Sequence, residues 1–387
     1  MNKRALDTIR CPICKGELEL APFEEQKLQI SPQDSQRIKQ QGLDPKLFET
    51  VVKEGLLICR PCKTWYPIIN YTPVLLDFAT PVHEDFSRKN SAKSSLFSTH
   101  HPPAGKARPG EELTRRSFTT QWTDLGVDDL TFSYTYKERE DFIRLELDWP
   151  ERVLNSPGLK VLNVGCGYGM EAIFLSDVTQ GEVFGLDLNF SLINSGPLMK
   201  DKPFVHTMIA SIFSLPFEEK SFGLVYSHGV IHHTHSTKAA FDRIFRMMHP
   251  DGAIYIWVYA HEDFDRGSIR TRLGHIMEIK FRPKIAALPG PLQDLVVHAL
   301  AVPYHRTMKK AGPNRDKWKF KNSVHSMRDR WTCFFAHRHS FHEVICWFLE
   351  KNMDYRLVNS LKYRRLVGYD LIGIGIRGQI KKEAPKN

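Results

Sequence analysis

A short apolar run, Val161-Leu162-Asn163-Val164, meets Gly165-Cys166-Gly167-Tyr168-Gly169 and then a helix-prone segment from Met170 to Ser176. This junction constrains the chain more than any other feature. A strand, a glycine turn and a helix form the nucleotide-binding corner of a doubly wound sheet. Glycines let the backbone turn sharply and let a ligand lie against it with no Cβ in the way. The spacing then selects among ligands. A dinucleotide fingerprint reads GxGxxG or GxGxxA, but Met170 stands at the last position and the third glycine comes one residue early, at Gly169. GxGxG is a poor pyrophosphate cradle and suits a ligand without phosphate, such as S-adenosylmethionine. The next apolar run, Val183 to Leu188, contains Asp187 at its end. A carboxylate at the end of the second strand accepts both ribose hydroxyls.

The rest of the chain supplies the setting. Residues 117–260 alternate β-branched runs with helical patterns, the signature of a parallel α/β sheet. At 387 residues with 42% hydrophobic content the chain has room for two cores. Residues 1–80 form a first domain and residues 81–116, rich in Ser, Lys, Pro and His, read as a flexible linker. The second domain covers 117–387, with an insertion at about 262–335. It closes with a helix from Phe341 to Lys351 and strand-like runs at Tyr355–Leu361 and Tyr369–Ile376. No apolar run reaches the roughly 18 residues of a bilayer span, and no secretory pattern precedes Cys11, so the expected location is cytoplasmic. The net charge of +10 is dispersed, with clusters at Lys309-Lys310, Arg364-Arg365 and Lys381-Lys382.

Four of the seven cysteines form two CxxC pairs, Cys11-Pro-Ile-Cys14 and Cys59-Arg-Pro-Cys62. Two such knuckles can place four thiolates tetrahedrally around one zinc ion at about 2.3 Å. A redox dithiol is the competing assignment. Four ligands leave no open coordination position, so a zinc here is expected to be structural. The segment between the pairs must carry structure of its own, and Ser31 to Lys53 is expected to be helical.

The blocks around these motifs carry two resemblances. Cys-Pro-Ile-Cys-Lys-Gly-Glu-Leu-Glu-Leu, Gly-Leu-Leu-Ile-Cys-Arg-Pro-Cys-Lys-Thr-Trp-Tyr-Pro-Ile and Thr-Pro-Val-Leu-Leu, over residues 8–77, resemble the small zinc-ribbon methyltransferase-activator subunits. In that family the domain docks onto catalytic subunits and stabilises them, which implies docking in cis here. Asn70-Tyr71-Thr72 stands where the family has an Asp-Gly-Ile turn. Val-Leu-Asn-Val-Gly-Cys-Gly, Gly-Leu-Asp-Leu, Ala210 to Phe217, Ser221 to Ser227 and Pro250-Asp251-Gly252 together resemble the class I methyltransferases, nearest the ubiquinone and menaquinone biosynthesis group. That resemblance implies a Rossmann-like, seven-stranded α/β sheet with helices on both faces, fused to a small zinc-ribbon α+β domain. It implies cofactor contacts from Asn163, Gly165, Cys166, Gly167, Gly169, Asp187, Leu188, Ser211, Ile212 and Ser227. Three positions depart from the family. Asn163 replaces an acidic residue, Ser211 an Asp that accepts the adenine amino group, and Gly223 the Asp that opens the fourth strand. Differently wired cofactor contacts are the expected result.

Strand four runs out at Ser227-His228-Gly229-Val230-Ile231-His232-His233-Thr234-His235. Methyl transfer to an O–H or activated C–H needs a group that takes a proton, and histidine suits that near neutral pH. His232 and His233 are the candidates, as base or as structural residues under the sheet edge. In the insertion, Leu288 to Val302 is apolar and flanked by Arg306, Lys309 and Lys310, which fits core packing, a lid or a membrane-surface element. Arg338, among aromatics and histidines, would suit an anionic acceptor. The expected function is methyl transfer to a small or conjugated metabolite. Two alternatives stay open: an RNA methyltransferase, and a degenerate methyltransferase fold acting as a scaffold.

Overall fold

The computed structural model describes residues 1–93, 95–123, 134–148, 154, 156–261, 269–312, 314–358 and 373–381. In chain order the first elements are β1 (Glu19–Lys27), α1 (Pro32–Gln40), β2 (Thr50–Cys59), β3 (Thr64–Ile69), β4 (Thr72–Leu75) and α2 (Pro81–Asn90). Then come α3 (Glu111–Thr123), α4 (Tyr136–Glu146), β5 (Lys160–Val164), α5 (Met170–Thr179), β6 (Glu182–Asp187), α6 (Leu192–Met199) and β7 (Val205–Ala210). The remainder is β8 (Phe222–His228), α7 (Thr237–Met247), β9 (Met248–Val258), α8 (Ile269–Ala286), α9 (Gly290–Ala311), α10 (Phe320–Trp331), α11 (Phe341–Glu350), β10 (Met353–Leu357) and β11 (Ile374–Ile380). No helix among the described residues is long and apolar enough to cross a membrane. The Arg364-Arg365 cluster and Lys382 lie outside the described residues.

The chain divides into two compact units. The first holds Met1–Ala107, Pro150–Tyr226 and Asp242–Gly252. Its strand order is β1-β2-β3-β4-β7-β6-β5-β8. β7, β6, β5 and β8 pair in parallel, and their residues are almost wholly buried, as strands covered on both faces must be. Phe184, Phe217 and Phe222 pack edge to face in this core, with ring centroids 4.9–5.9 Å apart.

The cysteine-bearing segment does not stand apart as its own sheet. β4 pairs in parallel with β7, Val74 against Ile209 and Leu75 against Ala210, so one sheet runs through both sequence regions. Around that seam Arg10 N–H donates to the Pro216 carbonyl at 2.8 Å and Lys15 Nζ to that of Leu215 at 2.6 Å. The Arg37 guanidinium lies 3.7 Å over the Phe204 ring. The departure at Asn70-Tyr71-Thr72 has a physical use. Asn70 and Tyr71 both turn through positive φ (48° and 70°), and Asn70 Nδ2 donates to the Ile193 carbonyl at 2.8 Å.

Two expectations change here. Residues 81–116 are not featureless: α2 and α3 fall wholly or partly within them, and Phe86 is buried beside Trp65, Leu56 and Ile58. Proline at the start of α2 and the reciprocal bonds of Thr80 and His83 begin that helix, and burial of Phe86 anchors it. The stretch from Ser31 to Lys53 is helical only over α1 and a short 3-10 turn at Pro45–Phe48, because β2 already begins at Thr50.

Gly196 on α6 is the tightest point of this seam. A Cβ there would overlap the Asn70 carbonyl oxygen, which is backbone and has nowhere to yield. Gly196→Ala gains about 1 kcal/mol of helix propensity but incurs an overpacking cost of about 1–3 kcal/mol. A lowered Tm in thermal unfolding is the expected result, and an unchanged or raised Tm would refute this account of the seam.

The second unit holds Arg108–Trp149, Ser227–Phe241 and Ala253–Asn387. Here β9, β11 and β10 pair antiparallel in that order. The runs expected at Tyr355–Leu361 and Tyr369–Ile376 appear as β10 and β11, and residues 359–372 lie outside the described set. The stretch 262–335 carries α8, α9 and α10, and residues 262–268 likewise lie outside it. Val297, Ala301, Val324 and Met327 form the apolar contact between α9 and α10.

Candidate functional site

In the first unit, the turn after β5 is closed by one carboxylate. Gly167 N–H donates to Asp187 Oδ2 at 2.8 Å and Asn189 N–H to Oδ1 at 3.0 Å. Burial lifts the Asp187 carboxyl above its usual range, against the pull of those N–H groups. Gly165, Gly167 and Gly169 all have positive φ (80°, 57° and 91°), a conformation that side chains resist. Cys166 is buried within the turn, and burial pushes its thiol well above the usual range, so it is no nucleophile. Leu188 lies between Asp187 and Asn189 and is half-buried. Asn163, at the end of β5, is wholly buried; its Nδ2 donates to Glu171 Oε2 at 2.9 Å, and its Oδ1 has no hydrogen-bond partner. Ser211 is also buried, and its hydroxyl accepts the Phe213 N–H at 3.1 Å, capping the 3-10 turn Ile212–Ser214.

The four paired cysteines also meet in this unit. The sulfurs of Cys11, Cys14, Cys59 and Cys62 all lie within 4.8 Å of one another. Each knuckle turns through a left-handed lysine directly after its second cysteine, Lys15 (φ 65°) and Lys63 (φ 52°). The Gly16 N–H reaches Cys14 Sγ at 3.4 Å. Four soft donors at this mutual distance fit one tetrahedral zinc ion and leave no position for a substrate.

The second unit holds the histidines. His228 stacks on Trp257 with centroids 4.8 Å apart and rings 8° from parallel. Its Nδ1 lies 2.9 Å from Glu146 Oε1, an ion-pair contact off the line of a hydrogen bond. Glu146 is fully buried, and Arg139 Nη1 approaches the same carboxylate at 3.2 Å. His232 and His233 are buried too. His233 Nδ1 faces the Phe335 carbonyl at 2.8 Å, and its Nε2 is 3.9 Å from Asp329 Oδ1. Asp329 accepts the Tyr259 hydroxyl at 2.8 Å. Neither ring nitrogen of His232 has a hydrogen-bond partner. Burial, reinforced by His233, His339, Arg338 and Arg282, pushes its pKa well below the usual imidazole value. Burial lowers that of His233 as well, with Asp329 opposing. Both rings are therefore neutral near pH 7. Ser227 Oγ is buried without a partner.

Residues 162–256 match the family described as methyltransferase domain, and residues 2–70 match Trm112p-like protein. The chain carries a methyltransferase domain behind a Trm112p-like domain. Among curated relatives, it is 28% identical over 124 residues to a sterol 24-C-methyltransferase of Gibberella zeae, covering 30% of this chain and 33% of that one. It is 29% identical over 105 residues to phosphoethanolamine N-methyltransferase 3 of Arabidopsis thaliana, covering 27% of this chain and 21% of that one. The magnesium protoporphyrin IX methyltransferase of Synechocystis aligns with a TM-score of 0.42 at 12% identity, covering 70% of this chain and 100% of that one. The chain spans about a third of the length of the first curated relatives it matches.

Two carboxylates escaped the sequence motifs. Glu171 stands in the first turn of α5 and brings a negative charge to Asn163, where the family carries its acid one element earlier. Its place directly after a glycine turn was the available signal. Glu146 ends α4, far from β8 in sequence, and nothing in the local pattern links it to His228.

Proposed function

We propose that this protein transfers a methyl group from S-adenosylmethionine to a small-molecule acceptor. The observation that carries this is the closure of the glycine turn by Asp187 beside a buried, partnerless Asn163 Oδ1. A turn with three left-handed glycines and no third-turn phosphate spacing favours adenosine over a dinucleotide. Asp187 retains acceptor capacity for ribose hydroxyls, since each of its oxygens can accept more than one hydrogen bond. The Glu171 carboxylate, held by Asn163 Nδ2, would receive the methionine ammonium, which restores the charge that Asn163 lacks. Ile212 N–H and the buried Ser211 would meet the adenine.

When bound, S-adenosylmethionine would supply the activated methyl group on its sulfonium. The residues of the chain then have to align the acceptor and take its proton. His228 is our choice for the proton: it ends β8, is partly accessible, and sits against a buried carboxylate that orients it. His232 and His233, buried and neutral, support the wall behind it. Sterol and phosphoethanolamine methyltransferases are among the relatives, so acceptors of lipid or lipid-precursor type are the first to assay. Zinc at Cys11, Cys14, Cys59 and Cys62 is structural in this proposal, and the Trm112p-like domain covers through β4 the side of β7 that would otherwise be a sheet edge.

Calorimetric titration tests the cofactor assignment. S-adenosylmethionine should bind and NAD should not, and Asp187→Ala should weaken binding by about 1.5–3 kcal/mol, the loss for a hydrogen bond to a charged group. No heat with S-adenosylmethionine, or equal affinity for NAD, would refute it.

A further inference from the structure

Helix α8 is inside out. Its inward stripe is polar: Glu278 and Arg282 are buried, and Arg330 Nε reaches Glu278 Oε2 at 2.9 Å. Arg282 pairs with the same carboxylate and donates through Nε to the Arg330 carbonyl at 2.8 Å. Its outward stripe is apolar. Ile269 is 79% exposed and Leu273 57%, with Ile276 and Met277 continuing the row at helical spacing. On α9, Leu292 and Leu295 add to the exposed apolar surface, Leu295 at 67%. A helix that buries its one acid with an arginine partner and turns a row of aliphatic side chains outward is built for a medium that is not water.

The charge around these stripes says which medium. Lys280 and Lys284 lie on α8, and Arg306, Lys309 and Lys310 close α9, all exposed. Across 269–321 the described residues hold three acids: Glu278 is buried, Asp294 is half-exposed and paired with Arg328 at 2.8 Å, and Asp316 is exposed. A second copy would bring the same cations face to face. RNA would use the cations and leave the aliphatic rows in water. An anionic bilayer satisfies both, with lysine and arginine at the headgroups and leucine and isoleucine below them.

We propose that α8 and α9 form a peripheral docking surface for anionic lipid bilayers. The inference is independent of the methyl-transfer assignment and would survive its failure. The test is sedimentation of the full chain with vesicles of phosphatidylcholine alone or with added phosphatidylglycerol, at low and high salt. The protein should bind the anionic vesicles and release with salt. Lys309→Ala and Lys310→Ala should each weaken binding by about fivefold, the equivalent of ~1 kcal/mol per surface cation. The double variant Leu273→Asp, Leu295→Asp should abolish binding while leaving circular dichroism and Tm unchanged, because both side chains are exposed. Three outcomes would overturn the proposal. One is no binding to either vesicle. Another is a dimer that Leu273→Asp dissolves with no vesicle binding. The third is binding to a mixed-sequence oligoribonucleotide with vesicles left unbound.

Discussion

Cys59→Ser should strip the N-terminal domain of its metal and cost far more stability than Gly196→Ala. Structural zinc sites contribute about 10–16 kcal/mol of binding free energy, and that energy is folding free energy when the site forms only in the folded chain. Cys59 ends β2, and Thr64 begins β3 one knuckle later, so losing the ion loosens the hairpin that leads into β4. β4 is paired with β7. The damage should therefore reach the Rossmann-like sheet, expose the β7 edge and favour aggregation. Metal analysis should give one zinc per wild-type chain and a substoichiometric value for the variant, with a large drop in Tm. Full zinc content and an unchanged Tm in Cys59→Ser would remove the ion from the account of this domain.

His228→Ala should lower turnover by about 10²–10⁴-fold, the range for losing a general base, while affinity for S-adenosylmethionine stays near wild type. Glu146→Gln should fall between the two, because it leaves the imidazole in place and removes the charge that holds it. His232→Leu should behave differently. Its ring is buried without hydrogen bonds and its pKa is depressed, so the folded protein binds fewer protons there than the unfolded chain. The sign follows: stability rises with pH through the unfolded imidazole value of about 6.5 and falls as pH drops below it. His233 contributes in the same direction. His232→Leu should therefore flatten the acid limb of Tm against pH and leave most of the turnover. If His232→Leu or His233→Ala instead loses turnover with stability intact, and His228→Ala retains it, the proton acceptor is in the pair.

The chemistry-bearing motifs were legible because they are local. Glycine spacing at 165–169, the acid at the end of β6 and the two CxxC knuckles are properties of a few consecutive residues. The polypeptide can adopt those turns only with those residue types. The parallel α/β character expected for 117–260 was legible over 160–228 for a related reason: strands covered on both faces need unbroken apolar runs. The described residues of 117–159 instead hold helices, and β9 pairs antiparallel with β11.

What lay beyond the sequence depends on partners distant in the chain. Asn163 lacks the family's charge, and only the packing of α5 against β5 reveals Glu171 beside it. Asn70 departs from a turn motif, and its use emerges only in the fold, where its amide bonds the Ile193 carbonyl next to Gly196. His228 stood out only as one histidine in a row, because Glu146 reaches it from another helix. Helical spacing groups the residues of α8 into faces once the helix is known. It did not say which face turns inward, because that follows from what the neighbouring helix offers. Arg330 on α10 offers a partner to Glu278, and a buried charge with a partner is tolerated where an unpaired one is not.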